Sequence, residues 1–270
     1  MEPGENCDPS AFDTLFERNV PHILESIFFS LDYKSFKRCM SVNKTWRKLL
    51  TTARYQNELK EKLIEKKKNE EKLHSASEEG NAEEVRRLVH DHAVDVNFTM
   101  GKYRRTPLIE AARKGHIEIV KILLDAGADI DREDAYKWMN TPLLWAVSYN
   151  HYEIVKFLLD AGAKVDKADR YGLTPLWWVE SKDVAKILLE HGADPNKADD
   201  DGRTPLHGAA GGGHAAVIKT LIEGGADPDR EDKWGNTPME TARYYQHQNV
   251  VNILLEIKSL INSGLFDPYV

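Results

Sequence analysis

Thr106-Pro107-Leu108 returns down the chain as Thr141-Pro142-Leu143, Thr174-Pro175-Leu176 and Thr204-Pro205-Leu206, and with one change as Thr237-Pro238-Met239. The steps are 35, 33, 30 and 33 residues. A fixed period near 33 residues means one supersecondary unit copied and stacked. Stacking yields a long binding surface rather than a closed pocket, which argues against an enzyme. Within a unit, Thr is placed to cap a helix, and Pro takes the first helical position, where its missing N–H costs nothing. Pro107 to Lys114 then reads as a short helix closed by Gly115. A second, apolar helix follows over Ile117 to Leu124, ended by Gly127-Ala128-Asp129.

Gly115-His116 opens a run through Ile119, Val120 and Lys121 that Asn150–Lys156 and Gly213–Lys219 echo, and Gly-Ala-Asp recurs at 127–129, 192–194 and 225–227. These features resemble the ankyrin repeat. The resemblance implies six repeats, at 73–105, 106–140, 141–173, 174–203, 204–236 and 237–262, the end units being atypical because each hides one apolar face from water. Two length changes stand out. The turn before Thr141 is two residues longer than its counterparts, and the unit at Thr174 is three residues short in its first helix. The family's His in the fourth motif position survives only as His207, so its link between repeats is in doubt. Glu240 is placed to close a capping box with Thr237 instead.

Upstream, Ile23, Leu24, Ile27, Phe28 and Leu31 fall at helical spacing, Phe36, Cys39 and Met40 begin a second apolar face, and Asn43 precedes a third with Trp46, Leu49 and Leu50. Three short helices in so few residues cannot bury these groups alone. Val20-Pro21, Ile23-Leu24, Ile27-Phe28, Leu31-Asp32, Ser35-Phe36, Val42, Trp46 and Leu49 resemble the F-box in order and spacing, with Val20 where Leu is commoner. The resemblance implies a three-helix motif over 12–52, after a disordered tail at 1–11, and docking on a Skp-type adaptor of a cullin–RING ubiquitin ligase. Val20, Pro21, Ile23, Leu24, Ile27, Phe28, Leu31, Phe36, Val42 and Trp46 would make the adaptor contact.

Residues 53–72 contain neither Gly nor Pro, and Leu73 follows without a breaker. One helix should therefore run from this connector into the first repeat, or break for only a residue or two. Lys66-Lys67-Lys68 reads as a solvated helix face or as a nuclear signal. Residues 263–270 form a tail. The expected fold is thus all-α: F-box, helical connector and ankyrin solenoid.

Composition bounds the rest. Two cysteines, Cys7 and Cys39, point to a reducing compartment, cytoplasmic or also nuclear. No long apolar run offers a membrane span. Residues 1–72 carry 14 basic against 12 acidic groups, and 73–270 carry 23 against 32. An acidic array disfavours nucleic acid and suits a protein target with basic segments. Gly208 to Gly213 lacks the Lys of a phosphate loop, and His116, His151 and His214 share one repeat position, which favours a structural role over metal ligation. No cofactor, metal or catalytic residue is expected.

Five of the six tryptophans lie in the repeats. Tyr136, Trp138, Tyr171 and Trp234 fall at or near turn tips. Trp145 and Trp178 take the variable first-helix position that lines the concave face in ankyrin arrays, and Tyr149 and Tyr244 sit one turn further along. Such rings either anchor a target or pack on neighbouring repeats. Asn196, after Asp194-Pro195, resembles an asparaginyl hydroxylation site and also reads as a turn residue. The sequence reading is a substrate adaptor of a Skp–cullin–F-box ligase. The alternative is an ankyrin interaction scaffold whose F-box-like helices cap the array.

Overall fold

The computed structural model describes residues 53–90, 94–135 and 139–263. The ten residues assigned to adaptor contact, together with Tyr136 and Trp138, lie outside them. The chain divides into two units, residues 1–65 and 66–270. Of the first, only 53–65 are described, as part of a helix.

Eleven α-helices and one 3₁₀ helix make up the described residues, which contain no strand. The helices are α1 (Ala53–Glu79), α2 (Ala82–His90), α3 (Pro107–Lys114), α4 (Ile117–Asp125), α5 (Pro142–Ser148) and α6 (Tyr152–Asp160). After them come the 3₁₀ turn Pro175–Trp178, α7 (Lys182–Glu190), α8 (Pro205–Gly212), α9 (Ala215–Glu223), α10 (Pro238–Tyr244) and α11 (Gln248–Asn262). As the breaker-free sequence implies, α1 is one helix of 27 residues that supplies the connector and the first-repeat residues Leu73 and Ala76.

The pairs stack in two layers. First helices pack on first helices, from α3 through α5, the 3₁₀ turn and α8 to α10. Second helices pack likewise, from α2 through α4, α6, α7 and α9 to α11. Equivalent buried apolar pairs recur through the layers: Leu108 with Leu123, Leu143 with Leu158, Leu176 with Leu188, Leu206 with Leu221, and Met239 with Leu254. Burying one such Leu stabilises by about 2 kcal/mol, so the repeated motif is also the repeated core.

The helix ends follow from the motif. Thr106 and Thr141 accept at Oγ1 from the backbone N–H of Ile109 and Leu144, both at 3.2 Å. The shortened unit differs. Its first helix is a single 3₁₀ turn, in which Trp177 N–H bonds the Thr174 carbonyl at 3.0 Å. The Thr174 hydroxyl is therefore buried with no partner among the described residues. The short turn also brings the Trp177 ring onto Gly208, where a Cβ would stand 3.0 Å from it. Close approach to that ring accounts for the first glycine of the Gly208–Gly213 stretch.

Two hydrogen-bond ladders tie successive units together. One runs through a side-chain acceptor in each turn. Asp129 N–H bonds Asn97 Oδ1 at 2.7 Å, Lys164 N–H bonds Asp131 at 3.1 Å, Asp194 N–H bonds Asp166 at 3.2 Å, and Asp227 N–H bonds Asn196 at 2.8 Å. The other uses histidine Nε2 against a carbonyl of the preceding unit: His116 to Glu78 at 3.1 Å, His151 to Arg113 at 3.0 Å and His247 to Gly211 at 2.9 Å. His247 holds the equivalent place in the Thr237 unit, after Gln246. His214, which follows the shortened unit, makes no such bond among the described residues.

Candidate protein-interaction surface

The residues read from sequence as target contacts fall into two groups. Trp145 is only 9% exposed, and its indole N–H donates to Asp134 Oδ2 at 3.0 Å. The Arg105 guanidinium lies 4.7 Å from the Trp145 ring and 4.8 Å from that of Tyr103. Trp178 is half-buried and packs against the core. These two rings hold the stack together. Tyr149, Tyr171, Trp234 and Tyr244 are exposed, Trp234 by 64% and Tyr244 by 80%. Tyr244 forms an edge-to-face pair with Tyr245 at 5.0 Å.

Beneath Trp145 lies a charge network that sequence reading missed. Arg105 pairs with Glu110 at 3.1 Å and approaches Asp134 at 3.6 Å, and Arg113 reaches Glu110 at 2.7 Å and Glu78 at 3.3 Å. Burial alone would raise the Glu110 carboxyl, but hydrogen bonds from Arg113 and Arg105 outweigh it and hold Glu110 below the usual range. The available signal was an acid four residues after the motif's Thr, where other units carry Trp, Gly or Thr. An isolated Glu on a short helix gives no cue that two arginines converge on it.

The turn tips are built alike. Asp169, Asp199 and Asp232 each accept at Oδ1 from the N–H two residues on, at 2.8, 2.9 and 2.9 Å. Those residues are Tyr171, Asp201 and Trp234, so they hold equivalent places on successive tips. Backbone bonds link the tips: Asp200 N–H to Tyr171 O at 3.1 Å and Lys233 N–H to Asp201 O at 3.0 Å. The family's histidine does its linking work at the one place it survives. His207 Nδ1 accepts from Thr204 N–H at 3.1 Å, and Nε2 donates to the Asn236 carbonyl at 3.0 Å. Glu240 closes the capping box with Thr237 as its position suggested. Asn196 is a rung of the first ladder and also donates from Nδ2 to Gly225 O at 2.8 Å.

The model for ankyrin repeats (3 copies) matches residues 45–134, 135–199 and 179–263, and the F-box domain model matches 18–55. The chain is an F-box/ankyrin-repeat protein. F-box domains typically bind Skp-type adaptors, and ankyrin repeats bind protein targets. Both are in general adaptor or interaction modules rather than catalytic ones. In the F-box/ankyrin chain no described helix is long and apolar enough to cross a membrane.

Proposed function

We propose that this F-box/ankyrin protein is the substrate-receptor subunit of a Skp–cullin–F-box ubiquitin ligase. The observation that carries the reading is the F-box match at 18–55, on the same chain as the ankyrin matches that run to 263. The F-box, through Val20, Pro21, Ile23, Leu24, Ile27, Phe28, Leu31, Phe36, Val42 and Trp46, holds the adaptor. The array holds the target through its exposed face. Ubiquitin transfer is supplied in trans, so the chain itself is not an enzyme. It contributes effective concentration and orientation, bringing target lysines to the charged conjugating enzyme. The work site is the cytosol or nucleus.

The test is co-purification of a Skp-type adaptor with the full chain and with the double variant Pro21→Ser, Ile27→Asn. The variant should lose the adaptor while its array melts at the wild-type temperature. Undiminished capture by a folded double variant would sink the reading and leave a scaffold.

A further inference from the structure

Three successive tips, 169–173, 199–203 and 232–236, present Tyr171, Asp201 and Trp234 at equivalent positions, an order of aromatic, acid, aromatic. Tyr171 and Trp234 are exposed, and so is Asp200 beside Asp201. Across the three tips five aspartates, Asp169, Asp199, Asp200, Asp201 and Asp232, face three cations, Arg170, Arg203 and Lys233. Arg203 is committed to Asp199 at 2.8 Å and Asp201 at 3.3 Å. Asp200 has no side-chain ion pair among the described residues, and the Lys233 ammonium donates to its backbone carbonyl.

A second observation points the same way. Asp169 is 7% exposed, and its Oδ2 is buried without a donor. In the next two units the residue four positions on meets this need: Arg203 Nε donates to Asp199 Oδ2 at 2.9 Å, and Asn236 Nδ2 to Asp232 Oδ2 at 3.2 Å. After Asp169 that position is Leu173, whose side chain has no donor to give. Burial pushes the Asp169 carboxyl up, and Asp199 and Asp200 beside it push further, against hydrogen bonds from the N–H groups of Tyr171 and Leu173. The three tips thus keep an excess of acids over cations, and the first of them holds a carboxylate oxygen without a donor.

We propose that this edge docks an extended target segment whose basic side chain lies over Asp200 and Asp201, flanked by apolar residues seated on Tyr171 and Trp234. Neighbouring packed helices stand about 8–10 Å apart, so the two rings are about 16–20 Å apart. An extended chain rises about 3.3 Å per residue. The apolar residues of the target therefore stand about five or six positions apart, with Lys or Arg midway. Aromatic contact supplies affinity, and the acid between supplies choice of partner. The inference rests on the array being the target-binding part of the proposed ligase subunit.

The probes are three heptapeptides with Leu at both ends, Ser between, and Arg, Gln or Glu at the centre, titrated into the full chain by amide and indole NMR shifts. The Arg peptide should give saturable shifts at Tyr171, Asp200, Asp201 and the Trp234 indole, about fivefold tighter than the Gln peptide, with the Glu peptide weakest. Trp234→Ala should weaken it about fivefold. Asp200→Lys with Asp201→Lys should reverse the preference toward Glu. Both variants alter exposed tips, so their melting temperatures should stay near wild type. Equal binding of the three peptides, no saturable shift at millimolar peptide, or shifts centred elsewhere would overturn the proposal. Adaptor capture is read separately, so loss of the ligase reading and loss of this edge are distinct results.

Discussion

A Cβ on Gly115 would stand 2.8 Å from Cε1 of His151. Gly80 meets Cε1 of His116 at 2.7 Å in the same way, and Gly213 meets Nδ1 of His247 at 2.7 Å. The glycine ends the first helix in the left-handed conformation and leaves the space that the next unit's imidazole needs to reach its carbonyl. Asn150 takes that conformation with a side chain, and the unit after it has Ser181 in place of histidine. Gln246 does so in the last described unit.

Gly115→Ala should therefore cost about 2–3 kcal/mol, from left-handed strain together with loss of the His151 bond. In a His151→Ala background the extra cost should fall to about 1 kcal/mol, since only strain remains. Urea unfolding of the four proteins of this cycle measures the coupling, and an additive result would separate the glycine from the ring.

Trp145→Ala should destabilise by about 3–5 kcal/mol, the range for removing a buried aromatic side chain. Trp145→Phe keeps most of the volume but removes the indole donor to Asp134 Oδ2, for about 1–2 kcal/mol. Trp234→Ala, at an exposed tip, should change stability by about 0.5 kcal/mol or less. Thermal melts rank the three. A cost at Trp234 equal to that at Trp145 would contradict the division into packed and exposed rings.

How much of this was legible follows from particular residues. The repeat, the caps at Thr106 and Thr141 and the continuous helix α1 were readable because spacing and breakers are local properties. The 3₁₀ turn at Thr174 was visible only as a three-residue deficit. The stranded Thr174 hydroxyl follows from that turn, while Trp177 lying on Gly208 depends on a neighbour 31 residues away. Trp145 and Trp234 look alike in sequence. What separates them is Asp134 and Arg105 around the first and solvent around the second. Equivalent tip positions could be aligned from sequence, but the missing donor at Asp169 appears only beside the pairs that Arg203 and Asn236 complete.

Acid should unfold the array in two stages. Burial pushes the His207 and His74 imidazoles down, so the folded state resists their protonation. Their contribution is complete above the ordinary value near 6.5 and is lost as pH falls below it. Protonating His207 would also set a proton against the Thr204 N–H. Glu110, held low by its arginines, contributes above the ordinary carboxylate range and loses that contribution as pH falls through it. Glu70, Asp166 and Asp169, all raised mainly by burial, act in the opposite sense within the carboxylate range. The interval from about pH 6.5 to 5 therefore isolates the histidines. The urea midpoint should fall across it, and His207→Gln should be less stable at pH 7 yet show a flatter slope. An unchanged slope would remove His207 as the cause.

Asn196 offers the sharpest test of the turn ladder, because its two ends do different work. Oδ1 receives Asp227 N–H and Nδ2 donates to Gly225 O, both at 2.8 Å. Asp166, one unit earlier, performs only the accepting half, for Asp194 N–H. Asn196→Asp should thus keep the link to Asp227 and lose the donor, leaving a carboxylate oxygen near the Gly225 carbonyl, at about 1 kcal/mol. Asn196→Ala removes both bonds. It leaves a half-buried N–H and C=O that water reaches only in part, so about 2–3 kcal/mol is expected. Hydrogen exchange localises the effect: protection of Asp227 N–H should survive in the Asp variant and collapse in the Ala variant. Equal protection in the two would mean that backbone packing, not this side chain, holds the last two turns together.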